Sequence, residues 1–321
     1  MNKTIIASTL LALISSYSYA ETLKLGHVYD VNHPWHKSAE EAARRVADKT
    51  EGRVEIKIFP SGSLGSEQEL LEQVVVGGVD IVEVGSGQLG NIFKPIIITE
   101  MPYIFRDNEH LMRFFESEAA GKIFDDFRQQ FNAHILGSST WGVRHVIGNK
   151  PITNPDDFSD FKLRVPEQAI TVAYAKAMGS NPTPVPYSEA YLAMRQNMVD
   201  GLENPLGSIK AMKFYEVGNN LSLTGHVITA VHYVINDNSL QSLSNQDKET
   251  VLDVFKNMGR YTADLVEKDD EKAIEFFKEK GVNIVNVDRD AFREKTKSMS
   301  DNYKDNWSGY GDLYAEISKI K

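Results

Sequence analysis

The chain has 321 residues, 41% hydrophobic and 25% charged, with a formal net charge of −10 and no cysteine. That is globular composition, with enough apolar material for a sizeable core divided over two domains. No basic stretch favours nucleic acid, and the lack of cysteine excludes thiol-nucleophile chemistry, zinc–thiolate sites and disulfide staples.

The first twenty residues predict an export signal. Lys3 supplies a positive start, Ile5–Ile14 is an apolar run broken only by Ser8 and Thr9, and Ser18-Tyr19-Ala20 offers small residues for cleavage after Ala20. The run is too short for a bilayer span, which needs about 20 residues. With no cysteine to carry a lipid anchor, the mature protein is expected to be free in the periplasm, as a monomer.

Thr22–Tyr29 alternates apolar and polar residues and predicts a strand. His33-Pro34 turns the chain, and Lys37–Lys49 carries Ala39, Ala42, Ala43 and Val46 at helical spacing up to Gly52. Val54–Phe59 predicts a second strand, Ser66–Val76 a helix with Leu70, Leu71 and Val74 on one face, and Val79–Val84 a third strand after Gly77-Gly78. This order predicts an α/β domain with a largely parallel sheet. Ile135–Ser139 and Lys162–Val165 predict further strands, and Ile170–Met178 and Ser188–Asn197 further helices. A second α/β domain is therefore expected from near residue 142, and with no Pro/Gly-rich linker the crossings should be short and structured. From Ser244 onward Val251, Leu252, Phe255, Met258, Tyr261, Leu265, Ala273, Phe276 and Phe277 recur at helical spacing as far as Gly281. A single helix of that length would reach about 45 Å and lie across both domains. The alternative is two helices with a kink near Lys268-Asp269-Asp270.

Two arginines carry the chemical signal. Arg144 follows an apolar strand and Trp141, and Arg164 sits inside Leu163-Arg164-Val165-Pro166. A strand arginine between Leu and Val is costly to bury unless paired, and guanidinium matches a carboxylate bidentately. The pair is either a carboxylate clamp facing a cleft or two internal ion pairs. Asp200-Gly201-Leu202-Glu203-Asn204-Pro205 reads as a polar loop in which Asn204 offers a donor and an acceptor to a hydroxylated ligand. His27, His33 and His36 lie close together but lack zinc-site spacing, so no metal is expected. Ser139 and Ser188 lack a nucleophile elbow. Gly85-Ser86-Gly87-Gln88-Leu89-Gly90 matches a dinucleotide fingerprint only superficially, because its acidic partner is misplaced in Glu100-Met101-Pro102. No cofactor is expected.

Six segments in order carry a resemblance: Pro60–Gly65, Met101–Phe105, Leu163–Pro166, Asn181–Pro186, Asp200–Pro205 and Lys213–Val217. The series resembles the solute-binding proteins of tripartite ATP-independent periplasmic (TRAP) transporters from about Leu23 to Phe277. The resemblance implies the two-lobed α/β fold of periplasmic binding proteins, with an interdomain ligand cleft, two crossing strands and a long helix spanning both lobes. It implies a first lobe of residues 21–141 plus about 230–268 and a second of 142–229 plus about 269–321. It implies that Arg164 binds a ligand carboxylate, with Arg144 and Asn204 beside it, and first-lobe candidates are His33, Glu67, Glu72, Ser86 and Gly87. The expected function is capture, without catalysis, of a small organic acid for a sodium-driven TRAP permease. A hexuronate such as galacturonate or glucuronate is favoured over sialic acid, a keto sugar acid or a dicarboxylate. In sialic-acid receptors of the family an acidic residue follows the third strand, where this chain has Gly85, and the His33-Pro34-Trp35 loop is bulky. Other readings are a receptor feeding a sensor kinase and a secreted hydrolase of acidic glycosides using Glu67 and Glu72.

Overall fold

The structure, a computed structural model, describes residues 20–321. Except for Ala20, the expected export signal lies outside the described residues. The chain begins with β1 (Glu21–Gly26), α1 (Pro34–Lys49), β2 (Val54–Phe59), α2 (Glu67–Val76), β3 (Ile81–Gly85) and the short α3 (Ser86–Ile92). β1 pairs in parallel with β2 and β3, as the β-α-β-α-β order predicted. α1 starts earlier than expected. Pro34 takes its first position, where a missing N–H costs nothing, and the His33 ring accepts the Trp35 N–H as the cap. Ser66 and Glu69 form a reciprocal capping box on α2, and Gly77 ends it in the left-handed conformation.

α4 (Asn108–Phe115) and α5 (Glu118–Phe131) lead into β4 (Ala133–Gly148), of which the expected Ile135–Ser139 is only the first part. There follow β5 (Lys162–Val165), α6 (Ala169–Ala177), β6 (Asn181–Pro184), α7 (Ala190–Arg195), β7 (Gly201–Pro205), α8 (Leu206–Ala211) and the long β8 (Asn220–Asn236). The C-terminal part holds α9 (Asp237–Ser242), α10 (Asn245–Glu279), β9 (Asn283–Val285), α11 (Arg289–Thr296), α12 (Ser298–Tyr303) and α13 (Leu313–Lys319). The Asp200–Pro205 segment, read as a loop, is strand β7 with every residue from Gly201 buried.

The strands form one sheet in the order β2-β1-β3-β8-β4-β7-β5-β6, with β9 beside β8. Its two ends are the two lobes, and the antiparallel pair β4 and β8 runs through both. That pairing slips at three places, one between Thr140 and Gly142, where Gly142 takes a φ of 112°. Such irregularities bend a strand and increase its twist. α10 is one unbroken helix of 35 residues, so the kink near Lys268 is not formed. It packs on first-lobe β4, where Ser139 Oγ donates to Gly259 O at 2.7 Å, and meets second-lobe α8 through the Lys210–Asp269 ion pair at 2.6 Å. No helix among the described residues is long and apolar enough to cross a membrane.

The last residues, expected in the second lobe, contact α4, α5 and the segment before them. Tyr310 OH donates to Asp126 of α5 at 2.7 Å, His110 Nε2 lies 2.8 Å from Ile317 O, and Arg106 donates to Ile320 O at 2.7 Å. His110 and Arg106 thus hold the end of α13 through its carbonyls.

Gly259 gives the packing of α10 a test. In a free helix Ala is favoured over Gly by about 1 kcal/mol, but a Cβ here would sit 2.6 Å from Ser138 O. Gly259→Ala is therefore expected to destabilise the protein, by about 1–3 kcal/mol, as a lowered urea midpoint. A raised midpoint would mean that α10 rides higher above β4.

Candidate functional site

The lobes meet over a cleft. Val28, Glu67 and Gln88 line it from the first lobe, Arg164, Tyr187 and Asn204 from the second, and Trp141 from β4. The space between them is about 20 Å³, room for about one water, so the lobes are shut on each other.

Arg164 is the centre of the site. It lies on β5 opposite Leu202 of β7, and strand alternation puts Asn204 on the same face. Its side chain is wholly buried. Nε and Nη2 both donate to Val185 O, at 2.9 and 2.6 Å, and Nη1 has no partner. Burial pushes its pKa down to about 10, so it stays charged at neutral pH. Among the described residues no carboxylate pairs with it. Both polar atoms of the buried Asn204 amide are also without partners. Since buried polar groups are nearly always satisfied, the orphaned atoms are unusual, and a guanidinium and an amide left so are chemically able to take a carboxylate and adjacent oxygens.

Arg144 lies beside the cleft in an internal ion pair. Its Nη2 donates to Glu203 Oε1 at 2.7 Å and its Nε to Oε2, and His226 Nε2 lies 3.4 Å from the same carboxylate. Burial pushes the Glu203 carboxyl up, but Arg144 and His226 outweigh it and hold the group at about 2. Glu67 is half-buried at the cleft and accepts the Gly85 N–H at 2.6 Å. Burial raises its pKa, against the pull of that N–H and of both arginines.

His33 is buried and bridges the lobes. Its Nε2 lies 3.1 Å from Ser208 Oγ of α8 and 3.2 Å from Trp141 Nε1, while its ring stacks on Tyr29 at 4.7 Å. His27 and His36 bond to each other at 3.0 Å. Among the described residues no three His, Asp or Glu side chains group as a metal site.

Three candidates fall elsewhere. Glu72 is exposed and takes a bond from Gln68 at 3.0 Å. Five helical residues turn about 140°, so it cannot share a face with Glu67. The Ser86 hydroxyl is buried inside the lobe, 2.8 Å from His232 Nε2, because a core hydroxyl needs a partner. Gly87 meets Gln168 of the opposite lobe instead of facing the cleft space; a Cβ there would lie 2.1 Å from Gln168 Oε1. Tyr187, Gln88 and the Val185 carbonyl were not anticipated. Only Trp141 had a signal, as a bulky aromatic beside a strand arginine.

The family model for bacterial extracellular solute-binding proteins, family 7 (DctP), matches residues 25–306. The chain belongs to this family. A sialic acid-binding periplasmic protein of Vibrio cholerae is 33% identical over 95% of both chains. A TRAP periplasmic solute-binding protein of Chromohalobacter salexigens, solved with bound D-glucuronate, superposes with a TM-score of 0.88 and 26% identity, over 93% of this chain and all of that one. One from Actinobacillus succinogenes with bound L-galactonate gives 0.88 and 28%, over 93% and 99%. The protein is thus a TRAP solute-binding protein with the two-lobed fold.

Buried neutral histidines set a pH dependence for this receptor. Burial drives His27, His33, His145 and His232 each down to about 3. The unfolded chain protonates them near 6.5. Protonation of these four in the unfolded chain therefore lowers stability as pH drops below about 6.5, by at most about 1.4 kcal/mol per pH unit for each histidine, while the buried carboxyls of Glu83, Glu100 and Asp270, which burial pushes up (the last two to about 7), take up protons in the native state and oppose part of that loss. The urea midpoint should be lower at pH 5.5 than at pH 7.5. A flat profile would mean that proton uptake by the buried carboxyls matches uptake by the unfolded histidines, and Glu100→Gln should then restore the slope.

Proposed function

We propose that the protein captures a hexuronate, D-galacturonate or D-glucuronate, in the periplasm after cleavage at Ala20, and passes it unchanged to a TRAP permease. The observation that carries this reading is Arg164: a buried cation without a carboxylate partner, beside an unpartnered Asn204 amide. A sugar carboxylate would supply the missing charge, and ring hydroxyls would reach Asn204 and Glu67. Capture is a matter of closure, since the shut cleft is far smaller than a sugar. The lobes would divide where β4 slips at Thr140–Gly142, opposite Thr229 of β8, and along α10 near Asp269, with the last residues returning to the first lobe.

A solved TRAP receptor with bound D-glucuronate supports the hexuronate reading, and one with bound L-galactonate, an aldonate, supports the wider class of six-carbon sugar acids. The sialic acid-binding relative from Vibrio cholerae favours a second one. Against it, Gly85 carries no acidic side chain, its N–H is engaged by Glu67, and a Cβ there would sit 3.2 Å from that carboxylate, so an acidic residue would require Glu67 to shift. Tyr29, Trp141 and Tyr187, with ring centroids 5.4–6.3 Å apart, also restrict the cleft.

Calorimetric titration of galacturonate, glucuronate and N-acetylneuraminate separates the two readings, with tighter binding expected for a hexuronate. At a thousandfold excess over Kd, the ligand should stabilise the fold by about 4 kcal/mol. Arg164→Ala should cost about 2–5 kcal/mol of binding, and Arg164→Lys a large part of that, because an ammonium lacks the planar fork. Near-normal affinity in Arg164→Ala would overturn the assignment of the site.

A further inference from the structure

We propose that Asn91 is a positioning residue that seals the closed cleft by capping a helix of the opposite lobe, and so sets how long the ligand stays bound. The inference rests on the receptor reading above. Asn91 belongs to α3 of the first lobe. Its Oδ1 accepts the N–H of Ala169 at 3.2 Å, and its Nδ2 donates to Glu167 O at 3.0 Å. Partners of opposite kind on its two ends fix the amide's orientation. Ala169 is the first residue of α6 in the second lobe, and the local cap residue Gln168 makes no side-chain cap bond. The first N–H groups of a helix have no partner inside it. A side chain from across the cleft therefore does what an N-cap residue does.

The same seam is packed tightly one turn earlier. Gln168 is buried against Gly87, where a Cβ would lie 2.1 Å from its Oε1. Both contacts join opposite lobes, so opening the cleft breaks both. Asn91 does not line the cleft. Its bonds can therefore bias open against closed without favouring one sugar acid over another. Their loss should act on release, since the ligand enters before the seam forms. Each hydrogen bond contributes modestly in net terms, so removing the pair is expected to speed release by about threefold to tenfold.

Two measurements test this. Because the chain has no cysteine, Gly87→Cys with Gln168→Cys makes the only possible disulfide, and its rate of formation reports closure whether or not a ligand is bound. Asn91→Ala in that background should slow cross-linking several-fold, with an unchanged melting temperature of the reduced protein. In the otherwise natural chain, stopped-flow release of D-galacturonate and D-glucuronate should quicken in Asn91→Ala while the affinity ratio of the two sugars stays fixed. Asn91→Asp keeps the acceptor for Ala169 but sets an oxygen against Glu167 O, and should fall between. Unchanged cross-linking would overturn the seal, and so would a changed sugar ratio, which would make Asn91 a ligand contact. If neither hexuronate binds the natural protein, the hexuronate reading fails, and cross-linking still decides the seal.

Discussion

A guanidinium buried without a carboxylate of its own is the constraint around which the second lobe is arranged. Burying an uncompensated charge is expensive, and the fold does only part of the work of offsetting it. The Val185 carbonyl takes two of Arg164's donors. That carbonyl is held between Pro184 and Pro186, which restrict the backbone to extended conformations. β5 carries the arginine, β6 leads to the carbonyl, and β7 brings Asn204 alongside. The remaining electrostatic deficit is what an anionic ligand can relieve. Neighbouring Arg144 shows the opposite solution, because Glu203 neutralises it inside the protein.

The first lobe answers with groups that are polar but mostly neutral. Burial keeps His27 and His33 uncharged, and the rings of Tyr29 and His33 stack into a wall below the cleft. Beside these neutral rings, Glu67 brings a carboxyl to the first-lobe face of the cleft, toward the arginines of the other lobe. Closure then depends on a few directional contacts across the gap and on the ligand. β4, β8 and α10 keep the lobes in register while this happens. Two irregular strands can bend where their ladder slips, and the long helix packs on both lobes.

Local patterns made the first lobe's β-α-β-α-β core legible. Capping residues such as Ser66, and the alternation in Val54–Phe59, act over a few neighbours, and the elements end where those signals do. β4 was legible only over its first third. Its continuation through Gly142 and Arg144 is held by pairing with β8, some eighty residues later, which no short window contains. The Asp-Gly-Leu-Glu-Asn-Pro segment looked like a loop because its polar residues are those that avoid burial. Tertiary context reverses this, since Glu203 is buried against Arg144 and Asn204 at the cleft. Arg164 stood out because it sits among apolar strand residues, and its backbone acceptor did not, because a carbonyl leaves no trace in residue type. Glu72, a candidate from the resemblance along with Glu67, is exposed on another face of α2, and the helical phase that separates the two is a property of the folded helix.

The order of strands in the sheet also bears on how the chain becomes a protein. β3 is flanked by β1 and by β8, so Ile81 must wait for Ile235 before its ladder is complete. The last helix, α13, then returns to dock near α4. Neither lobe can be finished from a partial chain, whichever end is made first. Contacts this distant in sequence slow folding and raise the loop-closure cost that must be met before any of them forms. A nascent chain with this topology remains pliable until nearly all of it is present, the state in which a polypeptide can still be threaded through a membrane channel.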